Sequence, residues 1–172
     1  KKLANIMLFI SMIFLVMVCC NSYLTTNSFS NIKSMGLIAL IASSLGYFYT
    51  AKPIRLSGRK GLGELTIFLS FGPLLTVGSA IAMSTNIIVL DYQNLRDFIL
   101  IGIPLGLLTT NILFINQFPD YNSDKISGKT NLVVLFGKKL SRWIFLLNIA
   151  LTILFSYFLK DLFSSKETFF IE

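Results

Sequence analysis

Residues 3–20 carry no charged side chain over 18 consecutive positions, close to the ~20 apolar residues a helix needs to cross a bilayer's hydrocarbon core. Comparable blocks recur at 35–50, 64–83, 98–118 and 143–159. In a water-soluble helix apolar residues form a stripe of period 3.6; here they fill every side, a surface that lipid solvates. Inside hydrocarbon each backbone N–H and C=O needs a partner within its own segment, so each block is expected to be a helix. The fold class that follows is all-α: a polytopic transmembrane helical bundle of about five spans, read as a single domain over 1–172. The 35–50 block is short and is expected to be extended or tilted. Gly72-Pro73 should kink the third span, and Trp143 suits the membrane interface.

Charged residues make up 13% of the chain, about half the ~25% of an average soluble domain, which strengthens the membrane reading. The sequence contains no His, which excludes His-based triads and His-ligated metals and directs any metal chemistry towards carboxylates. Cys19 and Cys20 are adjacent inside an apolar run, so they form neither a spaced metal pair nor a disulfide framework. The chain opens on Lys1 and closes on Phe169-Phe170-Ile171-Glu172. It is therefore expected to be a piece of a longer protein, incomplete at the N-terminus and at the C-terminus. A signal peptide is not expected, since the first apolar run is long and lacks an Ala-x-Ala cleavage site.

Basic residues set the expected orientation. With Lys1 and Lys2 cytoplasmic, five alternating spans put Lys52, Arg55, Arg59, Lys60, Lys125, Lys129, Lys138, Lys139 and Arg142 on that side. That is eleven of the fifteen Lys and Arg, leaving Lys33, Arg96, Lys160 and Lys166 opposite, as the positive-inside rule requires. The net charge of +7 is then mainly topological and calls for no nucleic acid. The expected location is an inner or plasma membrane, with the 51–63 and 116–131 loops at one cytoplasmic mouth.

Within that mouth, 116–131 reads Asn-Gln-Phe-Pro-Asp-Tyr-Asn-Ser-Asp-Lys-Ile-Ser-Gly-Lys-Thr-Asn. Asn116, Asp120 and Asp124 are four apart and would stack along one helix face, drifting about 40° per step. Two carboxylates and an amide in line, followed by Lys125 and Lys129, suit a divalent cation and its polyphosphate. Solvated loop acids would look similar, but three features argue for function. Asn116 brings a polar group into the end of a span, Pro119 interrupts the helix beside Asp120, and Gly128-Lys129 can return an amine over the site. With Glu64 and the basic 51–63 loop, this is the composition expected of a magnesium–diphosphate site. Gly128-Lys129-Thr130 is not a P-loop, since Ser123 stands where its first Gly belongs and no strand precedes it. Gly58-x-x-Gly61-x-Gly63 lacks the dinucleotide spacing and reads as a flexible turn opening the third span. Tyr49, Lys52 and Arg55 would ordinarily be interfacial anchors; Pro53 and Glu64 beside them leave a functional role equally open.

Asn-x-x-x-Asp-x-x-x-Asp followed by Gly-Lys-x-Asn-Leu-x-Val-x-x-Gly, at 116–137, resembles the second aspartate-rich motif of the UbiA superfamily of intramembrane prenyltransferases. Tyr49-Thr-Ala-Lys-Pro running into Gly61-Leu-Gly-Glu-Leu and Phe71-Gly-Pro-Leu is similar to its 1,4-dihydroxy-2-naphthoate polyprenyltransferase branch. The likeness covers about 45–137, with both blocks in order. It implies a bundle of nine spans, of which these five would be about the third to the seventh, with two aspartate-rich motifs facing across a cavity open to the membrane. On that resemblance Asn116, Asp120 and Asp124 belong to the second metal-binding motif and hold magnesium, with Asp120 and Asp124 catalytic. Lys52, Arg55 and Lys129 contact the diphosphate of a polyprenyl donor, and Tyr49 lies near the aromatic acceptor or the allylic cation. Nothing upstream of Asn116 matches the first motif; it is expected in a missing N-terminal segment, so the isolated 172 residues are not expected to turn over. Naphthoate is favoured over hydroxybenzoate, homogentisate or haem acceptors. The rivals are a CDP-alcohol phosphatidyltransferase, whose Asp-Gly and Ala-Arg elements are absent, and a non-enzymatic transporter, whose ion site would sit nearer mid-membrane.

Overall fold

The structure is a computed structural model describing residues 2–26, 29–83 and 92–164. Seven α-helices follow in order: α1 Lys2–Thr26, α2 Phe29–Thr50, α3 Leu62–Phe71, α4 Pro73–Met83, α5 Tyr92–Gln117, α6 Tyr121–Ile126 and α7 Leu132–Ser164, with a 3-10 turn Leu56–Gly58 ahead of α3. Among the described residues, four stretches are long and apolar enough to cross a membrane: Ile32–Thr50, Leu62–Met83, Asn94–Gln117 and Leu132–Lys160. The α1 helix adds the shorter apolar run Phe9–Leu24. The all-α bundle is as the hydropathy pattern requires.

Three stretches differ from expectation. The polar stretch 21–31 is not an open loop: α1 continues to Thr26 and α2 begins at Phe29. The last span begins at Leu132 instead of 143, and Gly137 (φ 73°, ψ 160°) breaks its helical geometry near the start. Of the connection expected at 84–97, residues 84–91 lie outside the described residues, and 92–97 already belong to α5.

The third span is split where the sequence indicates. Gly72 leaves helical geometry (φ −106°, ψ −108°) and Pro73 opens α4, the position where a missing N–H costs nothing. The break lets α3 and α4 run closely against α5. A Cβ on Gly72 would lie 2.5 Å from the Gly102 carbonyl oxygen, and one on Gly106 would lie 2.6 Å from that of Phe68. Gly102-x-x-x-Gly106 is thus a small-residue contact of the kind that packs helices in lipid. Thr76 Oγ1 adds a hydrogen bond to the Phe98 carbonyl at 2.8 Å. Met35, Val77 and Ile81 form a buried cluster where α2 meets α4, with Cys19, Ile38, Leu95 and Phe98 packed around it. Phe114 on α5 and Val133 on α7 are fully buried. Large apolar side chains such as Phe9, Phe14 and Leu147 face outward, as lipid-solvated helices do.

Candidate active site

The chain between α5 and α7 folds back across the end of the bundle. A helix cannot pass smoothly through Pro119, which has no N–H to donate and whose ring crowds the preceding turn. Accordingly α5 stops at Gln117, the Phe118 N–H bonds the Ile115 carbonyl at 3.3 Å, and Asp120 (φ −78°, ψ −1°) caps the short α6. Asn116, Asp120 and Asp124 therefore do not share one continuous helix face. The turn at 118–120 comes between them, yet all three line the same cavity.

Their surroundings differ sharply. Asp124 is buried, at 6% exposure, and both its carboxylate oxygens are engaged. Lys129 Nζ reaches Oδ1 at 2.6 Å, and Asn131 Nδ2 donates to Oδ2 at 2.8 Å. One ammonium and one amide N–H thus hold the two oxygens in place. The tight turn that returns Lys129 needs Gly128 at φ 74°, in the left-handed region suited to glycine; the Lys129 N–H then bonds the Asp124 carbonyl at 3.0 Å. Asp120 and Asn116 are exposed to the cavity.

Asn131 serves a second purpose. Its Oδ1 accepts from the Val134 N–H at 2.9 Å, the N-cap bond of α7. One amide thus starts the last span and holds the site carboxylate. Glu64, at 3% exposure, plays a comparable part on the other side. Its Oε1 accepts from Gln117 Nε2 at 2.9 Å and from the Leu132 N–H at 2.8 Å, tying the start of α3 to the end of α5 and the start of α7. The sequence groups Glu64 with the open acids of the mouth; the structure makes it a buried tie instead.

The basic loop is fixed, not flexible. The Thr130 N–H donates to the Gly58 carbonyl at 2.9 Å, and the Lys60 N–H donates to Thr130 Oγ1 at 2.9 Å. Gly61 (φ 79°) packs so tightly that a Cβ there would meet Leu132 at 2.7 Å. This lacing holds 51–63 beside 127–131.

One cavity of about 520 Å³ results, lined by Tyr49 at the end of α2, Lys52 and Arg55 from the loop after it, Asn116 at the end of α5, and Asp120, Asp124 and Lys129 beyond it. All seven residues singled out from the sequence meet there. Lys125 does not; it is exposed and stands 6.0 Å from the Tyr121 ring centroid. Gln117 and Asn131 also line the cavity and were not singled out. A polar residue at the very end of an apolar run was the signal for Gln117; for Asn131 it was an Asn immediately before Leu132-Val133-Val134.

The oxygen donors fit a divalent cation in part. Asp120 and Asn116 offer hard oxygens to the cavity, and Asp124 retains lone pairs beyond its two hydrogen bonds, whereas such a cation takes about six oxygen ligands. Among the described residues no cluster of three His, Cys, Asp or Glu completes a site.

Fold and site together define a polytopic helical membrane protein with carboxylates and fixed cations gathered around one cavity at the end of its spans. The profile of the UbiA prenyltransferase family matches residues 2–165, and the chain belongs to that family. It is 32% identical over 109 residues to the 2-carboxy-1,4-naphthoquinone phytyltransferase of Synechocystis, covering 63% of this chain and 33% of that protein. With the 1,4-dihydroxy-2-naphthoate octaprenyltransferase of Escherichia coli it shares 32% identity over 124 residues, covering 72% of this chain and 36% of that one. The UbiA prenyltransferase domain-containing protein 1 of Dictyostelium discoideum is 38% identical over 109 residues, covering 63% and 30%. The chain thus spans about a third of the length of these relatives. No solved structure matches it.

Proposed function

We propose that this chain supplies one wall of the active site of an intramembrane prenyltransferase in lipid quinone synthesis. The enzyme moves a polyprenyl group from its diphosphate to an aromatic acceptor, and the relatives' names favour 1,4-dihydroxy-2-naphthoate. The observation that carries this reading is the single cavity joining two acidic residues, three basic ones and a tyrosine at the end of membrane-length helices. The basic-residue bias of the loops favours a cytoplasmic mouth in an inner or plasma membrane.

Transfer requires the bond between the allylic carbon and the diphosphate oxygen to break, its electron pair leaving with the diphosphate. Lys52, Arg55 and Lys129 bind that group and offset the charge developing on the departing oxygen. Magnesium, held by Asp120, Asn116 and Asp124, would supply further charge neutralisation when bound. Tyr49, which lines the cavity together with Leu113, offers an aromatic face to the allylic cation. An aromatic carbon of the acceptor attacks, and the ring recovers aromaticity by losing a proton or, where that carbon bears a carboxylate, CO2, the electron pair of the broken bond returning to the ring.

The test is Asp120→Asn in the full-length protein, assayed with polyprenyl diphosphate, acceptor and magnesium. Asp120 is exposed, so the variant should insert and fold. Turnover should fall roughly 10²-fold or more, the scale on which one group stabilising developing charge acts. Near-normal turnover would remove Asp120 from the chemistry and this reading with it.

A further inference from the structure

A second, outer cavity of about 310 Å³ adjoins the first and shares three of its cations. Lys52, Arg55 and Lys129 line both; Arg59, Ser127 and Gly128 line the outer one only. The difference is in the acids. Asp120 and Asp124 face the inner cavity, whereas among the described residues no carboxylate lines the outer one. Three cations against two anions surround the first space; four cations against none surround the second.

Lys129 is already paired with Asp124, but Lys52, Arg55 and Arg59 meet no carboxylate among the described residues lining this space, and their mutual repulsion favours an anion there. Arg59 is held in place for one. Its Nη2 donates to the Pro53 carbonyl at 2.7 Å, which leaves most of its five N–H donors available. The backbone beneath it is fixed as well: the Arg59 N–H bonds the Leu56 carbonyl at 3.1 Å, its own carbonyl accepts from Leu62 at 2.6 Å, and Gly58 accepts from Thr130 at 2.9 Å. The cations therefore sit on a rigid frame and not on a free loop.

We infer that this outer cavity is a second anion site, built for a phosphate-class oxyanion without a metal ion. The chemistry separates the two sites. A metal-bound diphosphate suits the inner cavity, where carboxylates can share the metal. A diphosphate stripped of its metal is repelled by those carboxylates and suits the outer, all-cationic one. Resting on the function proposed above, the outer site receives the departing diphosphate on its way to water, with Lys52, Arg55 and Lys129 passing it between the two. An anionic lipid headgroup offers the same oxyanion chemistry.

The test is a calorimetric titration of the full-length protein with inorganic diphosphate in the presence of a chelator, in nanodiscs of phosphatidylcholine and, separately, of phosphatidylglycerol. The wild type should bind, Arg59→Gln should weaken binding about tenfold, and Arg59→Lys should restore most of it. Asp120→Asn, which alters the inner cavity alone, should leave the metal-free affinity intact or raise it. A tenfold Arg59 effect in both lipids supports the site with free diphosphate as its ligand. The effect in phosphatidylcholine alone supports the site with a lipid headgroup as its occupant. Equal affinities for wild type and Arg59→Gln in both lipids would overturn the proposal, as would affinity that depends on Asp120 and not on Arg59. These readouts need no turnover, so a failure here is distinguishable from a failure of the prenyltransferase reading, which shows as loss of magnesium-dependent activity.

Discussion

Asn131 is where stability and chemistry share one side chain, and two substitutions separate them. Its carbonyl oxygen caps α7 through Val134, and its amide nitrogen holds Asp124. Asn131→Ala removes both. Loss of the cap should cost about 1 kcal/mol, equivalent to roughly fivefold more frequent opening of the first turn of α7. Loss of a hydrogen bond to a buried carboxylate should cost about 2 kcal/mol, a factor of roughly 30 in any affinity that depends on that carboxylate's placement. Asn131→Asp keeps the cap, since Asp is as good an N-cap as Asn. It replaces the donor with a second carboxylate facing Asp124, so the two cannot both remain charged and close without a penalty.

The assay is hydrogen exchange read by mass spectrometry on a peptide covering 132–136, paired with donor binding by the full-length protein. Asn131→Ala should speed exchange about fivefold and weaken polyprenyl diphosphate binding about 30-fold. Asn131→Asp should restore the exchange protection and leave donor binding weak. If Asn131→Asp restores both, the amide does not position Asp124; if Asn131→Ala leaves exchange unchanged, the cap is not holding α7.

Two further changes test the site and its frame. Lys129→Ala leaves Asp124 Oδ1 without its cation and should weaken polyprenyl diphosphate binding about tenfold or more while the KM for the aromatic acceptor moves little; an effect confined to the acceptor would misplace Lys129. Gly106→Val sets a side chain 2.6 Å from a backbone oxygen of α3 and should lower stability by about 3 kcal/mol, read as a fall in thermal unfolding temperature. Gly36→Ala, inside α2 with nothing within 4 Å, is the control that should not lower it and, by helix propensity, should raise it slightly.

Hydropathy located the helices because lipid-facing surfaces are apolar on every side, and that is written locally. It misplaced the start of α7 because Lys138, Lys139 and Arg142 interrupt the apolar run. Lys and Arg are good helix formers whose aliphatic stems lie along apolar surface while the charge reaches water, so the helix runs through them. The polar stretch after Cys20 misled for the related reason that composition marks where lipid ends, not where a helix ends. Asn116, Asp120, Asp124, Lys52, Arg55 and Lys129, to which charge, spacing and resemblance point in the sequence, line one cavity. The part Glu64 plays is not legible in that way, because it depends on Gln117 and Leu132, which lie 53 and 68 positions away. Asn131 became readable only once α7 was known to begin at Leu132.

The contrast between Asp120 and Asp124 sharpens what the motif does. Spacing makes them equivalent; the turn at Pro119 and the return of Gly128-Lys129 make them different. Asp124 is buried and paired, so its oxygens are held by Lys129 and Asn131 before any ligand arrives. Asp120 is exposed and is held by no such pair. A buried carboxylate with a preset cation positions, whereas an open one is available to bind. Under the proposed function Lys129 then holds a singular place, since it pairs with Asp124 and lines both cavities. A diphosphate in either cavity competes with Asp124 for the same ammonium group. One lysine thereby couples the carboxylate wall to the passage of the leaving group.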